Sequence, residues 1–256
     1  MRIVVLLSAG RHPATGAPCP VPAELQAIAL ARQIAGAGGA VEGLHAGGRD
    51  EAVLDALGHG IDGLTLVAAG AADDPLGALV AALEGRLPDL ILAGRRGRGG
   101  ADGGLLPYRL ARALGWPIVA DAIGAGIAGG EMTVTQALPR GGRRAATVRG
   151  AAVITVHPAA SAALPYVHRA RLAGRVSEVA GPAALPAALP EGAEIRPYRA
   201  RPKLIGDVGG GGSAEARLQA VSETRDAGGR VMLRPAPDEA AAAILEFVAR
   251  FRPRKA

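Results

Sequence analysis

An α/β fold built on a doubly wound, mostly parallel sheet, with an added β-hairpin and an extended C-terminal arm, is what this 256-residue sequence predicts. Three observations predict it. Short apolar runs alternate with stretches of helical rhythm through the first half, the pattern of strand–helix–strand units with right-handed crossovers. Nearly half of the residues are apolar, mostly Ala, Leu and Val, small aliphatics that let helices lie close on a parallel sheet. Past residue 130 the alternation becomes a period of two on either side of a Pro-Arg-Gly-Gly turn, the pattern of a hairpin.

The elements follow in order. Ile3–Leu7 predicts a first buried strand. Pro22–Ala35 carries Leu25, Ile28, Ala29, Ala31 and Ile34 at helical spacing, and Gly36, Gly38 and Gly39 close it. Ala40–His45 predicts a second strand and Asp50–Leu57 a short helix, with Asp50 and Glu51 suited to its N-terminal dipole. Leu64–Val67 predicts a third strand, and Asp73–Leu83 a helix capped by Asp73 or Asp74. Leu90–Ala93 predicts a fourth strand, Leu105–Leu114 a helix, and Ile118–Ala120 a short fifth strand. "EMTVTQAL" and "RAATVRG" form the arms of the hairpin, and Ala151–Val156 is a further apolar strand. From His157 no clear period appears. Val179–Pro202 is rich in Ala and Pro, and Val208–Ser213 reads as a joint. Ala214–Arg225 predicts a helix, Arg230–Leu233 a short strand and Asp238–Arg250 a last helix. The expected division is a nucleotide-binding domain over 1–178 and an arm over 179–256.

Composition narrows the function. The net charge is +6, yet the arginines are spread along the chain and no strand is rich in aromatics for base stacking, so no nucleic acid is expected. The single cysteine, Cys19, excludes an internal disulfide and a multi-cysteine metal site. The N-terminal apolar run is too short for a secretory signal, and no apolar stretch is long enough to span a bilayer uninterrupted. A cytoplasmic protein is expected. The five histidines form no metal spacing with Asp, Glu or Cys. His59 reads as a turn residue, and His12 and His45 fall at strand ends. No catalytic residue is expected.

The chemistry concentrates at the carboxyl ends of the first and fourth strands, where ligands of open α/β sheets sit. After the fourth strand the chain reads Gly94-Arg95-Arg96-Gly97-Arg98-Gly99-Gly100-Ala101-Asp102-Gly103-Gly104. Glycines let a backbone approach a ligand, and the following helix adds its positive end, so phosphate or pyrophosphate is favoured. Arg95, Arg96 and Arg98 can clamp the same anion. No Walker Lys-Ser/Thr pair is present, and the spacing differs from that of a dinucleotide-binding first turn. The cofactor-binding set expected is Ser8, Ala9, Gly10, Ala46, Gly94, Arg95, Arg96, Gly97, Arg98, Gly99, Gly100, Asp102, Gly103 and Gly104.

The stretch "LPDLILAGRRGRGGADGGLLPYRLARALGWPIV" resembles the beta subunit of electron-transfer flavoproteins, whose pattern is PDLIL, then G-K-Q-A-I-D-G-D, then a helix ending L-G-W-P. "MRIVVLLS", "ALGHGIDGLTLV" and "AAVITV…LPYVHRAR" are similar to further family segments, in order, over about residues 1–171. The family's two loop acids fall on Gly99 and Ala101, and its following Gln on Gly104. The resemblance implies a Rossmann-like, adenine-nucleotide alpha hydrolase-like fold and an electron carrier. FAD would be held mainly by an alpha subunit, with AMP or a second FAD in the beta-subunit site. It also implies two partners, that alpha subunit and a flavin-dependent dehydrogenase. Leu164 falls on the family's anchor leucine. It follows the small-residue run Ala159–Ala163, which reads as exposed and easily bent, and Leu164, Pro165, Tyr166 and Arg169 are the expected docking residues. An ordinary connection whose leucine packs internally is the alternative there. For the whole chain the alternatives are a stand-alone nucleotide-binding regulatory or stress-type protein and an enzyme acting on a phosphorylated substrate.

Overall fold

The structure, a computed structural model, describes residues 1–70, 73–97, 103–128, 131–183, 232 and 235–249. The expected elements of the first half form close to their predicted bounds. Strands β1 (Arg2–Leu6), β2 (Ala40–Ala46), β3 (Gly63–Val67) and β4 (Leu90–Gly94) alternate with helices α1 (Pro22–Ala35), α2 (Glu51–Leu54, continued by a 3-10 turn over Asp55–His59), α3 (Pro75–Glu84) and α4 (Leu106–Leu114). Asp50 caps α2, its side chain accepting from Ala52 N at 2.9 Å. Asp74 caps α3 by accepting from Leu76 N at 3.1 Å, while Asp73 instead accepts from Gly70 N. Of the two candidate caps, Asp74 takes the role.

Then come β5 (Ile118–Ala128), β6 (Glu131–Ala137), β7 (Arg143–Val148) and β8 (Ala152–Val156). Their sheet order with the rest is β7-β6-β5-β8-β4-β1-β2-β3, and a strand β9 (Arg175–Val179) completes the edge beside β3. Every pair from β5 to β9 is parallel, and β5–β6–β7 run antiparallel. The chain steps from β1 to β2 and β3 in one direction, then returns to β4 on the other side of β1. The order therefore reverses between β1 and β4, and the ends of these two strands flank the crevice where open sheets bind ligands.

Three differences from expectation have physical reasons. β5 is 11 residues long rather than three. Past a register shift near Asp121 it leaves its parallel partner β8 and continues against β6, with small residues and glycines in place of an apolar signature. The short helix α5 (His168–Ala173) and β9 follow where no period was visible. β9 is mostly exposed, so it carries no apolar alternation. Main-chain pairing with β3, Gly63 opposite Arg175 through Val67 opposite Val179, holds it in place.

Strand alternation divides the core into two layers. Ile3, Val5, Leu90 and Leu92 pack with Ile28 and Ala31 of α1. Val4, Leu6, Ile91 and Ala93 pack with Leu79 and Leu83 of α3 and Leu110 of α4. Helices cover both faces, which is why the central strands are apolar throughout.

The chain divides into two compact units, Met1–Ala193 and Glu194–Ala256. In the second, helix α6 (Pro237–Ala249) has Asp238 and Glu239 in its first turn and exposes Ile244, Leu245 and Phe247. The expected joint at 208–213 and the helix at 214–225 lie outside the described residues, as does the strand at 230–233 apart from Met232, which is in no strand. Among the described residues no helix is long and apolar enough to cross a membrane.

Candidate functional site

Three segments meet at the reversal of strand order. Ser8 follows β1, Gly94 ends β4 and Gly97 lies in the loop beyond it, and the first turn of α1 closes the floor. A Cβ on Gly94 would lie 3.1 Å from Ala23 Cβ and 3.2 Å from Glu24 Cγ. One on Gly97 would lie 3.1 Å from Ser8 Oγ and 3.7 Å from Glu24 Oε1. At both positions α1 and the β1 end lie so near the β4 end that a side chain would make its neighbours give by a few tenths of an ångström.

Glu24 is the residue that sequence reading missed. It stands in the first turn of α1, a position that reads as an exposed acid serving the helix dipole. In the structure it is only 5% exposed. Ser8 N donates to its Oε2 at 2.9 Å, and Ser8 Oγ lies 2.5 Å from its Oε1. Burial pushes its carboxyl up to about 8, against the opposing pull of the two Ser8 contacts. The amide and hydroxyl of Ser8, expected to face a ligand, are thus both engaged by Glu24.

The other expected residues of the crevice take distinct places. Ala9 packs on the core. Gly10 turns the β1–α1 connection back on itself, with Cys19 N donating to Gly10 O at 3.0 Å. A Cβ there would meet Cys19 O at 2.4 Å. Ala46 ends β2 and packs against the second core layer, on the far side of β1 from β4. Gly103 and Gly104 lead into α4, and Gly104 has a φ of +68°, with its Cβ position 3.2 Å from Arg95 O. Gly104 thus lies beside the main chain of Arg95 just before α4 begins. The N-cap position of α4 is Leu105, whose apolar side chain makes no capping bond. Arg98, Gly99, Gly100 and Asp102 lie outside the described residues.

Arg95 has an unforeseen partner. Its Nε is 3.2 Å from Asp121 Oδ1, a residue of β5 with a φ of 55°. The contact is an ion pair by distance, but its alignment is not that of a hydrogen bond, and Oδ1 is buried without one. No local sequence signal marks Asp121, because its partner is brought to it by the sheet.

The remaining buried titratable group near the strand ends is His45, 7% exposed, whose Nδ1–H donates to Leu7 O at 2.9 Å. Burial lowers its pKa. Among the described residues no group of three or more His, Cys, Asp or Glu is placed to hold a metal.

The expected docking segment is better held than its composition implied. Gln26 Nε2 donates to Pro158 O at 3.1 Å and Ala160 O at 3.0 Å, tying the small-residue run to α1. Leu164, expected exposed, is half-buried, its Cδ1 3.1 Å from where a Gly60 Cβ would stand. His59 Nδ1–H donates to Leu164 O at 2.8 Å, a role for His59 beyond that of a turn residue. Tyr166 lies over Gly58, with its ring centroid 5.3 Å from that of His59. Pro165, Tyr166, Val167, Arg169 and Leu172 are exposed. Arg171 pairs with Asp55 at 2.7 Å and with Glu51. An open cavity of about 840 Å³ lies beside this segment, lined by Cys19, Pro22, Gln26, Asp55, His59 and Tyr166 among others. It is separate from the β1–β4 crevice.

Comparison with known proteins follows the same geometry. The family described as electron transfer flavoprotein domain matches residues 19–184, which include the α1 floor, the glycine loop, β5 and the docking segment. An electron transfer flavoprotein subunit beta from Chromohalobacter salexigens is similar to this chain, 34% identical over 255 residues. The match covers 97% of this chain and 94% of that protein.

Proposed function

This chain belongs to the electron transfer flavoprotein family, as a beta subunit, and on that premise we propose that it works as one half of a heterodimeric electron carrier. It takes electrons from a flavin-dependent dehydrogenase and delivers them to a downstream acceptor. It breaks and makes no bonds of its own. FAD, held mainly by an alpha subunit, supplies the redox chemistry, and this chain supplies placement, docking and a second nucleotide site.

One observation supports the nucleotide site: Gly94 and Gly97, at the start of the glycine loop, stand where the strand order reverses, close against Ser8 and the first turn of α1. The crevice fits an anionic adenine nucleotide. Gly94 and Gly97 let the β4 end lie close against Ser8 and the first turn of α1, and the positive N-terminal end of α4 follows the loop. The segment Leu164–Leu172 is read as the dehydrogenase surface, with exposed apolar side chains beside Arg169. The arm from Val179 is read as the part that associates with the alpha subunit.

The test is co-expression with the alpha subunit encoded by the same source, followed by purification on a tag carried by this chain alone. A yellow heterodimer containing FAD, with a further adenine nucleotide released on denaturation, is expected. A lone colourless monomer that retains a nucleotide would instead identify a stand-alone nucleotide-binding protein.

A further inference from the structure

We propose that the Gly58-His59-Gly60 turn sets the docking segment in its partner-ready form before any partner arrives, with His59 as the positioning residue. The inference rests on the docking reading of Leu164–Leu172 given above.

Helix α5 cannot hold itself. It has six residues, no side-chain cap at Val167 and no buried residue. A helix of that length is not stable alone in water. The stretch before it, Ala159–Ala163, has no large side chain to pack, and the open cavity lies beside its end at Ala163. Yet the exposed Arg169 and Leu172, three residues apart, share one face only while α5 is helical. Something outside the segment has to order it.

Each residue of the turn touches the segment. Gly58 O accepts from Val167 N at 2.8 Å, at the start of α5. A Cβ on Gly58 would run into the ring of Tyr166. His59 Nδ1–H donates to Leu164 O at 2.8 Å, and its ring lies against that of Tyr166, the centroids 5.3 Å apart. Gly60 has a φ of +102°, which favours glycine, and Leu164 Cδ1 lies 3.1 Å from where its Cβ would stand. The turn is itself held from behind. Arg32 of α1 donates through Nε to Gly60 O and pairs with Asp62 at 2.5 Å. At the other end of α5, Arg171 pairs with Asp55 at 2.7 Å. Both ends of α5 are thereby tied to the stretch that precedes β3.

The His59 bond is the side-chain hydrogen bond from this turn to the segment. A histidine serving only the turn would direct its donor back into the turn. This one spends it on a carbonyl 105 residues away, beside the residues expected to meet the partner. A partner that recognises only the ordered segment binds with an affinity reduced by the fraction of molecules in which the segment is ordered. The turn keeps that fraction high, so the partner does not have to supply the ordering.

The experiment uses the full chain in its heterodimer with the alpha subunit, as wild type, His59→Leu, His59→Asn, Gly58→Ala and Leu172→Ala. Leucine removes the donor, whereas asparagine keeps an N–H donor at the same number of bonds from the backbone. Gly58→Ala displaces the Tyr166 ring and leaves His59 in place. Two quantities are measured: hydrogen exchange of peptides covering 164–173, and steady-state reduction by a flavin-dependent dehydrogenase chosen because it reduces the wild-type heterodimer. His59→Leu should exchange roughly tenfold faster over 164–173, with α1 and β1 unchanged. Its apparent Michaelis constant should rise roughly tenfold at unchanged kcat and flavin content. His59→Asn should recover most of both effects, which a mere packing role for the ring would not allow. Gly58→Ala should move both quantities in the same direction as His59→Leu, so the inference stays open to test if His59→Leu fails to fold. Unchanged exchange over 164–173 in both variants, or an asparagine variant as impaired as the leucine one, would overturn the inference. So would a Michaelis constant unmoved in His59→Leu and Gly58→Ala but raised in Leu172→Ala, and the docking reading would then stand without it. A Michaelis constant unmoved in all the variants, Leu172→Ala included, would overturn the docking reading and this inference with it.

Discussion

The crevice at the ends of β1 and β4 and the segment from Pro158 to Ala173 solve opposite problems. In the crevice a carboxyl group is buried at 5% exposure and held by the main chain and hydroxyl of Ser8. In the segment, Tyr166, Val167 and Leu172 are left in solvent, and the main charged contact, Arg171 with Asp55 and Glu51, is on the surface. Burial lowers the local dielectric, so a single proton or methyl group in the crevice matters to the whole fold. Exposure makes the segment cheap to alter for the fold and consequential only for a partner. The comparison teaches which readout to expect: stability and ligand together in the first region, partner kinetics alone in the second.

The largest expected effect lies at the glycines. Gly94→Val places carbon atoms where Ala23 and Glu24 already stand, and should destabilise the protein by about 1–3 kcal/mol or more in chemical denaturation. Gly97→Val meets only the Ser8 and Glu24 side chains and should empty the nucleotide site while leaving the circular-dichroism spectrum native. Nucleotide content that stays unchanged in Gly97→Val would move the ligand out of this crevice.

Next is Glu24. Its carboxyl is raised from 4.5 to about 8 in the folded chain. Between those values the folded state keeps a proton that the unfolded state releases. Its contribution to stability is therefore complete below about pH 4.5 and declines as pH rises to about 8, then levels off. Urea midpoints measured between about pH 6 and 9 should fall for wild type and stay flatter for Glu24→Gln. Parallel curves would mean that Glu24 is charged when folded. His45 acts on the acid side. Its depressed pKa means that the unfolded chain takes up a proton first, so its contribution, present above its ordinary value of 6.5, is lost as pH falls below it.

In the docking segment, Leu164→Ala should raise the apparent Michaelis constant for reduction by the dehydrogenase roughly tenfold, with flavin content unchanged. Because Leu164 also packs near Gly60, Leu172→Ala makes the sharper companion: Leu172 is 69% exposed and has less to lose from the fold. If Leu164→Ala instead lowers thermal stability and Leu172→Ala alone affects the dehydrogenase, the anchor is on α5. The smallest effect is expected for Arg171→Ala. Its midpoint should hardly differ from wild type, while the salt dependence of the dehydrogenase reaction should change. A large loss of stability there would erase the distinction between the two regions.

Much of this was readable from the chain itself. Pro22–Ala35 appears as predicted because its apolar spacing, the proline at its start and the glycine after its end are all local signals. The strand–glycine–helix order after Leu90 is equally local, and with it the position of the crevice. β9 was not readable, because an edge strand is specified by the pairing of its main chain with β3, and pairing leaves no trace in side-chain pattern. The same holds for chemistry. The sequence by itself determined that glycines and arginines follow β4 and that an acid opens α1. Only the tertiary structure decided that this acid is buried against Ser8, that Arg95 turns toward Asp121 across β8, and that Leu164 is half covered. Each of those outcomes depends on the local dielectric and on partners distant in the chain, and both arise only when the sheet brings remote strands side by side.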